Sequence, residues 1–337
     1  MHDPMLLFMA GVVLIALIFD FTNGAHDSAN AIATIVSTKV LSPRTAVIMA
    51  AALNLAGAFV GTKVASTIGS GIVNPHMVEG SQTLVLTALF GAIVWNLLTW
   101  YLGLPSSSSH ALIGGLIGAA VTHGGWGVLN YTTIFEKIIL PLVLSPIAGL
   151  LAGYLIMLGL AWLVVRAHPK TVNGAFRKLQ IVSSAFMATS HGMNDAQKTM
   201  GIITLALFTF HEIPSMVVPA WVKLACATAM GLGTAMGGWK IVKTMGHKIF
   251  KLEPIHGFAA ETSASLVITA ASMFGAPIST THTISASVIG VGASKRLSAV
   301  RWGVAKSMVV AWVLTIPAAA LVAATCFWIL ELLGLAV

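Results

Sequence analysis

NGAHDSANAIATI at residues 23–35 is answered by HGMNDAQKTMGII at residues 191–203. Laid over one another, the stretches share Gly24 with Gly192, Asp27 with Asp195 and Ile35 with Ile203. Each interrupts apolar sequence. Met5–Phe19 precedes the first, and helical character resumes to about Val40; the second breaks a run from about Leu179 through Phe208. Only 8% of the 337 residues are charged and 57% are hydrophobic, whereas a soluble domain is about a quarter charged. So few charges leave no water-facing surface of this size, and about ten membrane segments fit the length. A carboxylate at membrane depth is costly unless compensated. The two motifs therefore predict unwound helices lining a cavity, with Gly24 and Gly192 easing each break.

Two further pairs extend the match in the same order. GTKVASTIG (61–69) lies over GWKIVKTMG (238–246), and LPSSSSHALIGGLIG (104–118) over APISTTHTISASVIG (276–290). The last pair shares Pro105 with Pro277, Ser107 with Ser279 and His110 with His282. Membrane composition alone would match Leu and Ala, not Asp, Pro and His, so the chain reads as an internal duplication. Expected spans outside the motifs run from about Arg44 to Thr67, Leu84 to Leu104, Ile138 to Val165, Met216 to Gly238, Phe258 to Phe274 and Val304 to Leu333.

Charge gives the orientation. The net charge is +8, with four of the eighteen Lys and Arg in residues 1–165 and fourteen after them. Loops near 39–44, 166–178, 240–251 and 293–306 hold most of them, and their repeat partners hold few. Two copies with opposite loop bias must be inverted, with the basic loops cytoplasmic and both termini outside. The expected architecture is an all-α polytopic membrane protein. It has two inverted-topology repeats of about five membrane segments each, with broken or half-helices at the midplane. The first repeat is 1–165, the second 179–337, and 166–178 is a cytoplasmic connecting loop. The basic residues form no soluble arm, which argues against nucleic acid. Cys226 and Cys326 each lie in apolar sequence and read as small buried side chains. The first apolar run lacks a basic n-region and a small-residue cleavage site, and so reads as a retained span.

Two constellations carry chemistry. Asn23, Asp27 and Asn30, with Asn194, Asp195 and Gln197, are hard oxygen ligands suited to Na+ or to a proton site. If sodium is the ion, Asp27 and Asp195 are its expected ligands. Ser107, Ser108 and Ser109 follow Pro105, as Ser279, Thr280 and Thr281 follow Pro277. Proline then hydroxyl marks a helix start. Capping accounts for one hydroxyl per site; the rest, on a helix N-terminus with free N–H groups, make an oxyanion site. Lys198 is the only cation near either motif, so an anion beside two aspartates must be escorted by cations. That is a physical reason for symport. Glu261, with Leu89 opposite it in the repeat, reads as a pathway carboxylate or a lysine's partner. His110 and His282 read as donors to the anion or to a carbonyl. Asn54 reads as a helix–helix hydrogen-bonding residue. No HExxH or GxSxG pattern occurs, and a duplicated site suits alternating access better than catalysis, so no enzyme is expected.

The paired NGAHDSANAIAT and HGMNDAQKTMGI, with LPSSSSHALIGGLIGA and APISTTHTISASVIG, resemble the signatures of the inorganic phosphate transporter family over nearly the whole chain. The resemblance implies a sodium- or proton-coupled phosphate symporter of the cell (inner) membrane. It ties Asp27 and Asp195 to transport and the Ser/Thr positions to phosphate. Glu261 looks like a glutamate kept in the second half of relatives, whereas Asn54 stands where many eukaryotic relatives carry one. RAHPKTVNGAFRK replaces the long central loop of larger members, as in the short prokaryotic form. Some short relatives are similar to sulfate permeases, so sulfate is the alternative cargo. Expected partners are phosphate, Na+ or H+ and the bilayer. A homodimer and an acidic cytosolic protein on the basic loops remain open readings.

Overall fold

A computed structural model of the chain describes residues 4–74, 77 and 81–335. The first half contains α1 (Pro4–Ser37), α2 (Pro43–Gly57), α3 (Lys63–Gly71), α4 (Gln82–Leu102), α5 (Ser108–Gly124), the short α6 (Tyr131–Thr133) and α7 (Leu140–Leu163). The second contains α8 (Pro169–Thr209), α9 (Ala220–Met236), α10 (Trp239–Lys243), α11 (Pro254–Met273), α12 (Thr280–Lys295) and α13 (Trp302–Leu332). Among the described residues the only β pairing is an isolated bridge between Val73 and Leu129.

Among the described residues, four helical stretches are long and apolar enough to cross a membrane: Met5–Ser37, Thr83–Leu102, Tyr131–Leu163 and Trp302–Leu332. Their outward faces carry residues such as Leu14, Leu97, Leu155 and Leu321, all exposed. Helix α8 is as long but more polar, because it runs through the middle of the molecule. Its 41 residues rise about 60 Å, twice the ~30 Å of a hydrocarbon core. Most of its first ten residues are exposed.

The polarity pattern is inside-out. Asp20, Asp27, Asp195, Lys198 and Glu261 are buried in the interior, together with many Ser and Thr. Charges appear at such positions in a membrane protein when they face the bundle and not the lipid.

Helix breaks fall where glycine and proline dictate. Gly103 ends α4 in the left-handed region (φ 66), Pro105 follows, and Ser107 caps α5. The same grammar returns after α11 with Gly275 (φ 72), Pro277 and Ser279. These are the helix starts expected after the two prolines. The span expected from Arg44 to Thr67 is two helices, α2 and α3, because Gly61 turns at φ 84. The connection expected over 166–178 is shorter: α7 ends at Leu163 and α8 already starts at Pro169.

The unwinding expected at the two aspartate motifs does not occur. Helices α1 and α8 run unbroken through residues 23–30 and 191–197. The buried carboxylates are met by donor side chains of their own helix and of α12, so no backbone N–H groups need to be freed. Gly24 and Gly192 serve a different purpose. A Cβ on Gly24 would lie 2.4 Å from the Met230 carbonyl oxygen, and one on Gly192 would lie 2.1 Å from that of Asn54. They let α1 press against α9 and α8 against α2, the small-residue mode of helix contact in membranes. The other contacts pair off likewise, α5 on α13 and α12 on α7, α4 on α5 and α11 on α12.

Helices α1 and α8 cross antiparallel. Asp20 meets Thr199, Ala31 meets Ser184, and Thr38 meets Gln180. Numbers rise on one helix as they fall on the other, which brings Asp27 and Asp195 to the same level.

Candidate functional site

Where α1 and α8 cross, Asp27, His191 and Asp195 offer ligand atoms that all lie within 4.8 Å of one another. Asp27 has His26 Nδ1 2.6 Å from its Oδ1 and accepts from Thr281 Oγ1 at 3.2 Å. The other nitrogen of His26, Nε2, lies 3.1 Å from Thr99 Oγ1. Asp195 accepts from Thr280 Oγ1 at 3.0 Å, lies 3.1 Å from His191 Nε2, and is bound directly by Lys198. His191 is steadied on its far side by Asn54 Oδ1 at 3.0 Å, and Asn54 donates onward to Thr234 at 2.9 Å.

The N-termini of α5 and α12 close the site. Ser107 and Ser279 cap these helices, accepting from the backbone N–H of His110 and His282 at 3.2 and 3.1 Å. Their side chains satisfy helix ends, while the next hydroxyls meet the charged groups. Thr280 and Thr281 each receive an N–H of Asn30, at 3.1 and 3.0 Å. Ser109 accepts from Lys198 and donates to the Ile278 carbonyl at 3.2 Å. The oxygens of Ser108, Asn23, Asn30 Oδ1 and Asn194 Oδ1 are buried without a hydrogen-bond partner. Buried polar atoms are usually satisfied, so these four stand out against the rest of the interior.

Not every expected site residue lies in this cluster. Gln197 takes the backbone N–H of Val64 at 2.9 Å and donates to the Val60 and Met193 carbonyls, which ties down the start of α3. Asn194 donates to Ser272 at 2.7 Å. His110 and His282 contact each other edge to face, with centroids 4.4 Å apart, and His282 stacks on Trp312 at 4.0 Å. Glu261, on α11, meets α1 two turns beyond Asp27, held by Thr34 and Ser183 and by Gln180 at 3.2 Å. No lysine pairs with it among the described residues.

The sequence reading passed over Asp20, His26 and His191. Asp20 is fully buried, seven residues before Asp27 on the same face of α1. It accepts from Thr199 at 2.8 Å, and its second oxygen has no partner. A spacing of seven in an unbroken helix is the signal that would have found it.

The arrangement can hold an oxyanion and a cation together. It offers two helix N-termini and the unpartnered Ser108 hydroxyl to the anion, and carboxylate and amide oxygens to the cation. All of it is sealed: Asp27, Asp195, Ser108, Ser109, Thr280 and Thr281 are buried. A surface hollow of about 620 Å3, lined by Val164, Val172, Glu253 and Ile255, shares no residue with it.

Known proteins resemble this chain along its length. The model of the "Phosphate transporter family" matches residues 23–323. A Bacillus subtilis (strain 168) protein, "Probable low-affinity inorganic phosphate transporter", is 48% identical over 98% of this chain and 99% of its own. A Rhizobium meliloti (strain 1021) protein of the same name is 49% identical over 97% of each chain. The solved structure of "The sodium-dependent phosphate transporter" aligns with a TM-score of 0.87 at 25% identity, over 96% of this chain and 99% of that one. These relatives are transporters and not enzymes. From motif to fold to matched span, the chain is a multi-pass membrane protein that belongs to the phosphate transporter family.

Proposed function

We infer that the protein is a secondary active symporter that moves inorganic phosphate with Na+ or H+. The observation that carries this reading is the meeting of Asp27 and Asp195 with the hydroxyl-bearing starts of α5 and α12. Phosphate brings one to two negative charges to a site that already holds two carboxylates. Lys198 neutralises only one of them, so a mobile cation must arrive with the anion. The hydroxyls of Ser108, Ser109, Thr280 and Thr281 bind phosphate in this reading, and Asp27, Asn23 and Asn30 bind the cation. Ser107 and Ser279 contribute by holding the helix starts in place. Na+ is supported by the oxygen-rich ligand set and by the sodium-dependent neighbour.

The two halves, 1–165 and 179–337, act as inverted repeats in this reading. The antiparallel crossing of α1 and α8 and the reciprocal contacts of their neighbours support it. The basic loops then face the cytoplasm and both termini lie outside the cell membrane. Alternating access moves one set of helices against the other around the α1–α8 crossing.

Radiolabelled phosphate uptake into proteoliposomes, under imposed Na+ or proton gradients, tests the function. Uptake driven by one gradient, and weak for radiolabelled sulfate, is expected. Flux indifferent to both gradients would sink the symport reading, and a preference for sulfate would overturn the cargo.

A further inference from the structure

In the duplicated motif, Asn30 of the first copy lies over Lys198 of the second: each stands three residues after its aspartate. One position is a neutral amide and the other an ammonium. We propose that Lys198 is a built-in coupling cation, occupying in the second copy the place that a mobile cation takes in the first. This rests on the symport reading and deepens it.

The lysine's surroundings are those of a bound cation. Its side chain is 2% exposed. Its ammonium carries three donors, and it meets three oxygens of three chemical kinds. They are the Asp195 carboxylate on α8, the Ser109 hydroxyl at the start of α5, and the Ile278 carbonyl at 2.9 Å in the turn before α12. Carboxylate, hydroxyl and carbonyl oxygens are also the ligands of a dehydrated hard cation. Among the described residues the ammonium makes no other hydrogen bond, so all three donors go to this set.

In the first copy the carboxylate and the hydroxyl have counterparts and the ammonium has none. The repeat alignment lays Ser109 over Thr281 and Asp195 over Asp27. Thr281 donates to Asp27 and accepts from Asn30. Asn30 Oδ1 is buried and has no partner. Asp27, with the His26 imidazole beside it at 2.6 Å, and the unclaimed amide oxygen of Asn30 thus have no Lys or Arg bound to them among the described residues. A mobile Na+ or H+ completes that half; Lys198 has already completed the other.

The consequence is stoichiometric. A site with asparagine in both copies would need one more mobile cation per phosphate to reach the same charge. The lysine is covalently attached and returns with the empty carrier, so it contributes nothing to the charge moved. The protein therefore carries one cation fewer per phosphate than its duplicated architecture has places for.

The test is the charge moved per phosphate, read from the membrane potential that nulls phosphate flux in proteoliposomes of the full chain. Lys198→Asn is expected to raise that ratio by one, and Lys198→Arg to keep the wild-type value. An active Lys198→Asn protein with the wild-type ratio would overturn the proposal. If Lys198→Asn does not transport, phosphate binding to the purified variant is followed by calorimetry while Na+ and pH are varied separately. Binding that recovers as cation is raised supports the proposal. Binding lost at every cation concentration, with a retained melting transition, would make the ammonium an irreplaceable phosphate ligand and refute it. Should Lys198→Asn fail to fold, Asn30→Lys runs the exchange backwards and should lower the ratio by one; an unchanged ratio refutes the proposal. The symport reading fails separately, through a wild-type flux that no ion gradient drives.

Discussion

Asp27 and Asp195 hold the same place in two copies of one motif, yet they keep different company. Asp27 is met by the imidazole of its own neighbour His26 and by the hydroxyl of Thr281. Asp195 is bound by Lys198, with Thr280 and His191 beside it. One carboxylate is held by an imidazole and a hydroxyl, the other by a lysine ammonium. In the reading proposed above, the first copy receives a mobile ion and the second carries its cation attached as Lys198. Glu261 and Asp20 extend the asymmetry, because their repeat counterparts are the apolar Leu89 and Ala188.

The sharpest way to break this comparison is to neutralise each carboxylate in turn. Asp195→Asn strands a buried ammonium, and breaking one side of a buried ion pair costs about 3–5 kcal/mol. Asp27→Asn removes a hydrogen-bond acceptor and should cost about 1–2 kcal/mol. Thermal unfolding in detergent should separate the two variants clearly, while coupled uptake falls to background in both. Equal losses of Tm would erase the distinction.

Next in size are the close approaches that the halves share. Gly192→Ala and Gly24→Ala each drive a methyl into a backbone carbonyl, at 2.1 and 2.4 Å. Overpacking of this kind costs about 1–3 kcal/mol. The two variants should lose similar stability in the same melting assay, since here the copies agree. A large difference between them would mean that the symmetry of α1 on α9 and α8 on α2 is superficial.

Hydroxyl substitutions sharpen the division between support and binding. Ser107→Ala and Ser279→Ala remove caps worth about 1 kcal/mol each, and the melting temperature should register it. Ser109→Ala and Thr280→Ala remove partners of Lys198 and Asp195, and should raise the phosphate KM about tenfold, one lost charge-assisted hydrogen bond. A larger KM change in the capping variants would reverse these assignments.

Smallest in stability is Glu261→Gln, which keeps the shape and most hydrogen bonds from Thr34, Ser183 and Gln180. Stability should change by about 1 kcal/mol while phosphate uptake slows. Undiminished uptake would leave Glu261 as a structural acceptor only.

Much of this was legible in the sequence, for identifiable reasons. Asp, Pro, Ser and His recurring in order cannot come from membrane composition, so the duplication and the helix starts at Ser107 and Ser279 could be read directly. What escaped followed from one assumption. Taking the motifs as unwound removed the helical spacing that sets Lys198 on Asp195, three residues apart, and Asp20 in line with Asp27. Gly24 and Gly192 looked like hinges because their use depends on α9 and α2, remote in sequence. Gln197 looked like a ligand for the same reason: the start of α3, which it caps, lies more than a hundred residues earlier.

The burial of the charged cluster has a consequence for the cell as a whole. Organisms store energy as a difference in ion concentration across the very membrane this protein sits in. A carrier with a continuous water path beside Asp27 and Asp195 would drain that store with every idle moment. Side chains this tightly enclosed leave no open water path beside the two carboxylates.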